Sequence, residues 1–328
     1  MNVPARYWRP EGDRARCELC PNLCLIAPGR RGRCLGRVNV NGRLEAVSYG
    51  EVVSIAVDPV EKKPLYHFHP GERILSVATY GCNLACPFCQ NCEISQQEAP
   101  GRSTAPAELV ELARRSGTFG VAFTYTEPLV WFEYLMDSCP VLRAAGLRTV
   151  LVTNGMVNPA PLEELLPYVD AMNIDLKSIR PEFYRDYVRG SLDAVLGSIR
   201  AARRRCHVEL TNLLIPGRND SDDDVTALVE FVAGLGRDTV LHFSRYFPRN
   251  RAGEPPTPVA ALVRAGELAR RRLDYVYLGN LEAGGEWRDT RCPQCGSLLV
   301  ERSNYKGRVV GISAGACTAC GRRADVVL

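Results

Sequence analysis

The sequence predicts an α/β protein: a partial (β/α)6, TIM-like barrel that carries a small cysteine-rich metal module on each side. Three observations support this fold class. Between residues 74 and 278, short apolar runs alternate with helix-length amphipathic segments, which is typical of parallel strands joined by crossover helices. Four cysteines precede this stretch, and four more follow it. We therefore expect an N-terminal module with short β segments (residues 1–70), a central core (71–285) and a C-terminal module (286–328).

Six strands and six helices are expected in the core. The strands are expected at residues 74–80, 120–126, 149–153, 171–176, 207–214 and 239–246, and the helices at 106–116, 129–145, 159–167, 191–205, 222–235 and 258–272. Asn158-Pro159 supports one of these helix starts, since asparagine is a good N-cap and proline is favoured at the first helical position. Six repeats are fewer than a closed eight-fold barrel needs. An open (β/α)6 barrel and a doubly wound sheet are therefore both compatible with the sequence.

Length, charge and cysteine usage narrow the class of protein. A chain of 328 residues that is 46% hydrophobic can bury a sizeable core. Its net charge of +4 does not indicate nucleic acid binding, although it does not exclude it. The first ten residues lack the apolar core of a signal peptide, and no apolar run is long enough to suggest a membrane span. The 14 cysteines, clustered and without an export signal, favour metal ligation in a reducing cytoplasm.

The central cysteines Cys82, Cys86 and Cys89 form a C-x3-C-x2-C run. This run supplies three thiolates where a closed metal site would have four. A cubic iron–sulfur cluster held by three cysteines keeps one iron free to bind a small molecule. The spacing therefore predicts a redox enzyme rather than a passive metal scaffold.

The C-terminal cysteines form two CxxC knuckles, Cys292/Cys295 and Cys317/Cys320, each followed by glycine. Paired knuckles fit tetrahedral coordination in a zinc ribbon or a rubredoxin-like lobe. We expect zinc here, because nothing in this module requires redox activity.

The N-terminal cysteines form the C-x2-C-x3-C-x9-C set of Cys17, Cys20, Cys24 and Cys34. This spacing is compatible with zinc or with a second four-cysteine iron–sulfur cluster, and both alternatives remain.

Three cysteines lie outside these groups. Cys139 and Cys206 are expected to be buried as small hydrophobic residues. Cys92, next to the cluster loop, is expected to be a bystander, with a role as alternate ligand as the other interpretation.

Polar side chains stand where the predicted strands end. They include Glu127 after the second strand, Asn154 after the third, Asp175 and Lys177 at the fourth, and Arg245 at the sixth. Because loops after the strands build the active site in barrels of this type, these groups and the three-cysteine loop are expected at one mouth. The sequence therefore predicts the active site there.

The cluster loop on this barrel resembles that of the radical S-adenosylmethionine (SAM) enzymes. Two segments, residues 80–91 (YGCNLACPFCQN) and 61–71 (EKKPLYHFHPG), are similar to the AmmeMemoRadiSam-system branch, which is related to the pyruvate formate-lyase activating enzymes. The N-terminal cysteine set and the C-terminal knuckles are also similar to that branch. Cys92 departs from the pattern, because an aromatic residue is expected there.

The resemblance implies a [4Fe-4S] cluster on Cys82, Cys86 and Cys89 whose free iron binds SAM. One electron, from a donor of the flavodoxin or ferredoxin type, would cleave SAM to methionine and a 5′-deoxyadenosyl radical. That radical would abstract hydrogen from a substrate that the sequence does not identify, with system partner proteins as further expected partners. The cofactor carries this chemistry, and the protein orients it.

Residue roles follow from the same resemblance. Glu127 matches the acidic residue that accepts a hydrogen bond from the methionine amino group. Lys177 is a candidate for the methionine carboxylate, and Asp175 and Asn154 for the ribose hydroxyls. Arg245 is a candidate for the carboxylate or the substrate.

Two other functions remain as alternatives. A glycyl-radical activase would abstract hydrogen from a glycine of a large partner protein. Many activases carry a ferredoxin-like insert after the cluster loop, whereas here a short polar stretch (residues 93–103) follows it. A zinc-ribbon interaction protein is the third interpretation, but it does not account for the three-cysteine loop.

Overall fold

An eight-stranded sheet forms the centre of the computed structural model, which describes residues 3–281 and 285–328. The strands are β1 (Ser54–Pro59), β2 (Arg73–Ala78), β3 (Gly120–Phe123), β4 (Arg148–Thr153), β5 (Ala171–Asp175), β6 (His207–Leu214), β7 (Val240–Arg245) and β8 (Val276–Gly279). They lie side by side in chain order, and the seven from β2 to β8 are parallel. β1 runs antiparallel to β2 along one edge. Within the described residues the two edge strands do not pair with each other, so the sheet is open.

The expected count of six parallel strands is wrong by one. β8 is a seventh, paired with β7 from Leu241↔Val276 to Ser244↔Gly279. Its four residues, VYLG, are too few to show a clear alternation of apolar and polar side chains. The antiparallel strand β1 was not anticipated either, because it comes from the chain segment before the cluster loop.

Six helices connect the parallel strands. They are α1 (Pro106–Arg115), α2 (Phe132–Ala144), α3 (Pro159–Leu165), α4 (Leu192–Arg203), α5 (Asp222–Leu235) and α6 (Val259–Arg270). All six were expected, and the largest difference is at α2, whose first turn is a 3-10 helix, Pro128–Trp131. The Ser221 hydroxyl accepts the Asp224 amide and caps α5. Asn158 precedes α3 as expected, but its side chain makes no cap and donates instead to the carbonyl of Glu18 at 2.7 Å. Shorter helical segments are Val60–Lys62, Cys92–Ser95, Leu166–Tyr168, Phe183–Val188 and Gly285–Trp287.

The N-terminal cysteines are carried by small antiparallel sheets. One contains Val3–Pro4, Arg37–Val40 and Arg43–Ala46, and the other contains Trp8–Glu11, Arg14–Cys17 and Leu25–Ile26. A two-stranded pair, Glu51–Val52 with Arg102–Ser103, lies between this region and the cluster loop. Cys17 ends one of these strands, and Cys20, Cys24 and Cys34 lie in the loops between them.

The C-terminal cysteines lie on a ribbon of short strands. Its strands are Thr290–Arg291, Leu298–Ser303 and Lys306–Val309, followed by the pair Ile312–Ser313 and Ala316–Cys317. The last residues then return to the core, where the amide of Val327 donates to the carbonyl of His67 at 2.8 Å. The C-terminal module is thus joined by backbone hydrogen bonds to the segment before β2.

The amino-terminal half of the sheet is covered by this same segment. The fully buried Glu209 on β6 accepts the backbone amides of Tyr66 and His67 at 2.9 and 2.7 Å. His242 on β7 contacts the other side of that carboxylate at 2.6 Å. Burial alone would raise the pKa of Glu209, but hydrogen bonds from His207 and His242 hold it well below its usual range. Because this segment covers the amino-terminal ends of the strands, a functional site is expected at their carboxyl-terminal ends. None of the helices in residues 3–281 and 285–328 has the length and apolarity needed to cross a membrane.

Candidate active site

A cavity of about 310 Å³ opens at the carboxyl ends of the parallel strands. Its lining includes the three cysteines of the cluster loop and polar residues from the ends of β3, β4 and β5. The residues that carry chemistry are Lys62, Lys63, Cys82, Cys86, Cys89, Tyr125, Glu127, Thr153, Asn154, Asp175, Lys177 and Thr211. The expected convergence of polar groups on one mouth is therefore present, with one exception described below.

The cluster loop is held in place from several sides. The side-chain amide of Gln96 donates to the carbonyl of Cys86 at 2.9 Å, and the amide of Ala85 donates to the carbonyl of Val188 at the same distance. Ser95 Oγ lies 3.1 Å from Cys89 Sγ. Burial raises the pKa of Cys86 to about 11, so its thiol must release its proton to solvent when the thiolate binds a metal.

The donor set of this loop fits an iron–sulfur cluster. Three thiols line one cavity. In the described residues their three sulfur atoms do not all lie within 4.8 Å of one another, as ligands of a single ion would. Ligands of a cubane bind different irons, so their sulfurs stand farther apart than those around one tetrahedral ion. Cys82, Cys86 and Cys89 could therefore hold a cluster with one open iron.

Glu127 is fully buried at the start of the 3-10 turn that precedes α2. Its carboxylate accepts the Thr153 hydroxyl at 2.5 Å, the Asn154 amide at 2.8 Å and the Leu129 amide at 3.0 Å. Burial raises the pKa of Glu127 to about 7, although these hydrogen bonds oppose the shift. A carboxylate offers about four lone-pair positions, so one remains for a donor in the cavity.

Asn154 links the end of β4 to the cluster loop. Its side-chain amide donates to Asn83 Oδ1 at 2.9 Å and approaches Cys82 Sγ at 3.6 Å, while its carbonyl accepts the Met156 amide at 2.8 Å. These contacts orient the loop around Cys82.

Asp175 and Lys177 form an ion pair at the end of β5. Lys177 Nζ donates to Asp175 Oδ2 at 2.8 Å, and the lysine side chain is only 14% exposed. Burial opposes the charged ammonium, but the Asp175 carboxylate outweighs this effect and raises the pKa of Lys177. The cavity therefore contains a permanent positive charge beside the cysteines.

Arg245 and Cys92 lie apart from the residues that line the cavity. Arg245 Nε donates to the carbonyl of Thr257 at 2.8 Å, and its guanidinium stands 4.8 Å from the ring centre of Phe247. Ser244, its neighbour on β7, lines the cavity instead. Cys92 begins the short helix after the loop and is half-buried there.

Several lining or adjacent residues were not anticipated from the sequence, among them Asp58, Lys63 and Tyr125. The Tyr125 hydroxyl donates to Asp58, and the Lys63 ammonium stands 4.3 Å from the centre of the Tyr125 ring. Tyr125 has a φ of 67°, an uncommon conformation for a bulky residue and a feature that clusters at functional sites. Lys63 belongs to the segment 61–71 that carries the family resemblance, but the sequence does not show that it lies at the cavity. The antiparallel pairing of β1 with β2 brings it there.

The C-terminal cysteines form a compact group in the structure. The sulfurs of Cys292, Cys295, Cys317 and Cys320 all lie within 4.8 Å of one another. Hydrogen bonding from Ser297 lowers the pKa of Cys295 to about 6, which favours a thiolate at neutral pH. This group could hold one metal ion, and its spacing matches tetrahedral thiolate coordination.

The remaining cysteines also have defined places. Cys17, Cys20, Cys24 and Cys34 line a separate pocket. Cys139 is fully buried in α2, and Cys206 is half-buried immediately before β6.

Several known proteins are similar to this chain in sequence. The uncharacterized protein MJ0808 of Methanocaldococcus jannaschii is 42% identical over 331 residues, which cover 98% of each chain. The (2S)-3-sulfopropanediol dehydratase activating enzyme of Klebsiella oxytoca is 24% identical over 229 residues, 68% of this chain and 69% of that one. Pyruvate formate-lyase 1-activating enzyme of Escherichia coli is 25% identical over 175 residues, 51% of this chain and 71% of that one.

Solved structures support the fold alone. A radical SAM methyltransferase from Sphaerobacter thermophilus matches with a TM-score of 0.51 and 19% identity, over 64% of this chain and 67% of that one. Streptococcus suis SuiB bound to S-adenosylmethionine matches with a TM-score of 0.52 and 15% identity, over 64% and 52%.

The family model described as the Radical SAM superfamily matches residues 76–232, a range that begins in β2 and contains the whole cluster loop. Membership of this family implies a [4Fe-4S] cluster and SAM. The chain thus contains a radical SAM domain and is homologous to the pyruvate formate-lyase and sulfopropanediol dehydratase activating enzymes.

Proposed function

We propose that this protein is a radical SAM enzyme of the AmmeMemoRadiSam system, with its [4Fe-4S] cluster on Cys82, Cys86 and Cys89. The observation that carries the proposal is the shared cavity, which these cysteines line together with Glu127, Asn154, Asp175 and Lys177. When bound, the cluster and SAM supply a 5′-deoxyadenosyl radical that abstracts hydrogen from a substrate.

The chain's own residues bind and orient SAM. The open lone pair of Glu127 accepts a hydrogen bond from the methionine amino group, and the positive charge of Lys177 binds the methionine carboxylate. Asp175 is available to a ribose hydroxyl through the oxygen that does not contact Lys177. Asn154 already uses both ends of its amide, so its contacts support a role in orienting Cys82 more than a role in binding the ribose.

Part of the cavity wall is apolar. Leu84, Phe88, Val152 and Leu213 line it among the polar groups. An apolar wall of this kind excludes water and limits side reactions of a reactive intermediate.

The system assignment rests on the two sequence segments at residues 61–71 and 80–91. Both segments have defined contacts in the structure, which supports the assignment. The amide of His67 in the first segment donates to Glu209, and the second segment lines the cavity. Partners in this proposal are a one-electron donor of the flavodoxin or ferredoxin type and the other proteins of the system.

The second candidate is a glycyl-radical activase, favoured by the relationship to two activating enzymes. Against it, residues 93–105 contain only the end of a short helix and the strand Arg102–Ser103, with no inserted cluster domain. A zinc-ribbon interaction protein would still account for the C-terminal cysteines, but it leaves the cavity without a role.

The test is the production of 5′-deoxyadenosine by anaerobically reconstituted protein supplied with SAM and dithionite. We expect product from the wild type and from Cys206→Ala, whose side chain lies outside the cavity, and none from Cys86→Ala. Equal product from Cys86→Ala would refute the proposal. Hydrogen exchange into a glycine of a partner protein, if found, would favour the activase.

A further inference from the structure

The four N-terminal cysteines face one enclosed pocket. Cys17, Cys20, Cys24 and Cys34 line it together with the apolar side chains of Leu19, Ile26 and Val130. Cys17 and Cys20 are buried, and Cys24 and Cys34 are half-buried. A set of four thiols around one enclosed pocket is a ligand set for a metal centre.

The spacing of the sulfurs distinguishes the kinds of metal centre. Around a single zinc ion with bonds of about 2.3 Å, two sulfurs can be at most about 4.6 Å apart. The C-terminal cysteines meet this condition, since all four sulfurs lie within 4.8 Å of one another. Over residues 3–281 and 285–328, no three of the N-terminal sulfurs do, and neither do the three of the cluster loop. The N-terminal set thus lacks the close spacing of ligands around a single tetrahedral ion, which leaves a multi-iron cluster as the better fit.

A buried cation stands beside these thiols. Arg37 is fully buried, its Nη1 lies 3.8 Å from Cys17 Sγ, and its Nη2 pairs with Glu133 at 2.5 Å. Its Nε has no hydrogen-bond partner in the part of the chain that the structure describes. The charge is paired with Glu133, but a buried donor without a partner is costly, and a thiolate-bound cluster of net negative charge beside the guanidinium would stabilise it further.

The pocket lies directly beside the cluster loop. An ideal Cβ on Gly81 would collide with the carbonyl oxygen of Cys34, so the two backbones are in contact. The backbone carbonyl of Asn83 accepts the side-chain amide of Asn22, which lies between Cys20 and Cys24 in the sequence, at 2.8 Å. Asn83 Oδ1 accepts the amide of Asn154, which itself approaches Cys82. One asparagine therefore connects the two cysteine sets.

We propose that Cys17, Cys20, Cys24 and Cys34 hold a second [4Fe-4S] cluster, which passes electrons to the cluster of the active site. One electron from a flavodoxin- or ferredoxin-type donor reduces the N-terminal cluster, which is reoxidised as the active-site cluster is reduced. The electron-transfer step of this inference rests on the proposed function, whereas the presence of a second cluster on these four cysteines does not.

The first experiment is a metal count on the full chain after anaerobic reconstitution with iron and sulfide. We expect about eight irons and one zinc per wild-type chain, and about four irons in Cys82→Ala/Cys86→Ala/Cys89→Ala. Cys206→Ser is the matched control and should keep the wild-type count. Two zincs and about four irons in the wild type would overturn the inference. Because the wild-type count alone decides this point, the result does not depend on the folding of the triple variant.

The second experiment is electron paramagnetic resonance of the dithionite-reduced protein. Two neighbouring reduced clusters should give a spin-coupled spectrum in the wild type. Cys17→Ser/Cys20→Ser/Cys24→Ser/Cys34→Ser and the triple variant should each give an uncoupled signal. A wild-type spectrum equal to the sum of the two variants would overturn the transfer step. Full iron with no 5′-deoxyadenosine would instead refute the proposed function and leave the second cluster standing.

Discussion

Lys63 Nζ donates to Asp58 Oδ2 at 2.6 Å, and this ion pair is almost completely buried, with the side chains 1% and 7% exposed. Burial lowers the pKa of Lys63 to about 8, although the contact with Asp58 opposes the shift. Hydrogen bonds from Lys63, Tyr125 and Lys62 more than offset burial at Asp58 and hold its pKa below the usual range. The pair therefore fixes strand β1 against the cavity.

We expect Lys63→Met to lower the free energy of unfolding by about 3 kcal/mol, because it leaves a largely buried carboxylate with weaker partners. Lys62→Met is the matched control: Lys62 also contacts Asp58, but it is 49% exposed and should cost less than about 1 kcal/mol. Urea denaturation of the two variants measures both values. Equal losses would show that burial of the pair contributes nothing.

Lys177→Met should weaken SAM binding by about 10- to 100-fold, because it removes a charge-assisted hydrogen bond to the carboxylate. The iron content should stay at the wild-type value. Arg245→Met is the control, since its guanidinium is directed to Thr257 and Phe247, and it should leave the Kd unchanged. Calorimetry on anaerobic protein measures the Kd, and an unchanged Kd for Lys177→Met would remove this residue from the SAM site.

Gly81→Ala should destabilise the protein by at least about 2 kcal/mol more than Gly117→Ala. Both glycines have positive φ, 96° and 60°, so both substitutions introduce backbone strain. A Cβ on Gly117 meets nothing within 4 Å, whereas one on Gly81 meets the Cys34 carbonyl. The difference between the two free energies of unfolding isolates the contact between the cysteine sets, and it should vanish if that contact is absent in solution.

His67→Gln should flatten the dependence of stability on pH between 7 and 5. Burial lowers the pKa of His67 from 6.5 to about 3, so in this range the unfolded chain binds a proton that the folded one does not. Stability is therefore lost as the pH falls below 6.5, by about 2 kcal/mol at pH 5 from this group. Denaturation curves at several pH values give the slopes, and parallel slopes for wild type and variant would contradict the assignment.

Cys295→Ser should remove one equivalent of zinc and leave the iron content unchanged. The substitution breaks a set in which Cys295 Sγ and Cys317 Sγ stand 3.7 Å apart. Elemental analysis after dialysis against a chelator measures both metals, with Cys206→Ser as the control. Retention of the full zinc content would place the ion elsewhere.

Much of the fold follows from local pattern. The helix at Asp222–Leu235 begins and ends where the sequence predicts, because Ser221 supplies a cap and Gly236 follows the end. Arg245 shows why it is harder to predict which residue at a strand end faces the cavity. Adjacent side chains on a strand point to opposite faces, so Ser244 faces the cavity and Arg245 faces away.

Lys63 and Tyr125 could not be placed from the sequence, for a different reason. Their contact depends on the pairing of β1 with β2 and on the positive φ of Tyr125. Neither feature has a periodic signal, because both arise from contacts between distant segments. The spacing of the N-terminal sulfurs is likewise a property of the folded chain.

The backbone pairing between His67 and Val327 has a consequence for synthesis. The side chain of His67 also contacts the carbonyl of Asp325, a residue 258 positions later in the chain. The amino-terminal end of the sheet is therefore completed only after residues 325–327 have left the ribosome. Until then Glu209 can hold the His67 amide, but the ring of His67 lacks the carbonyl of Asp325 as a partner.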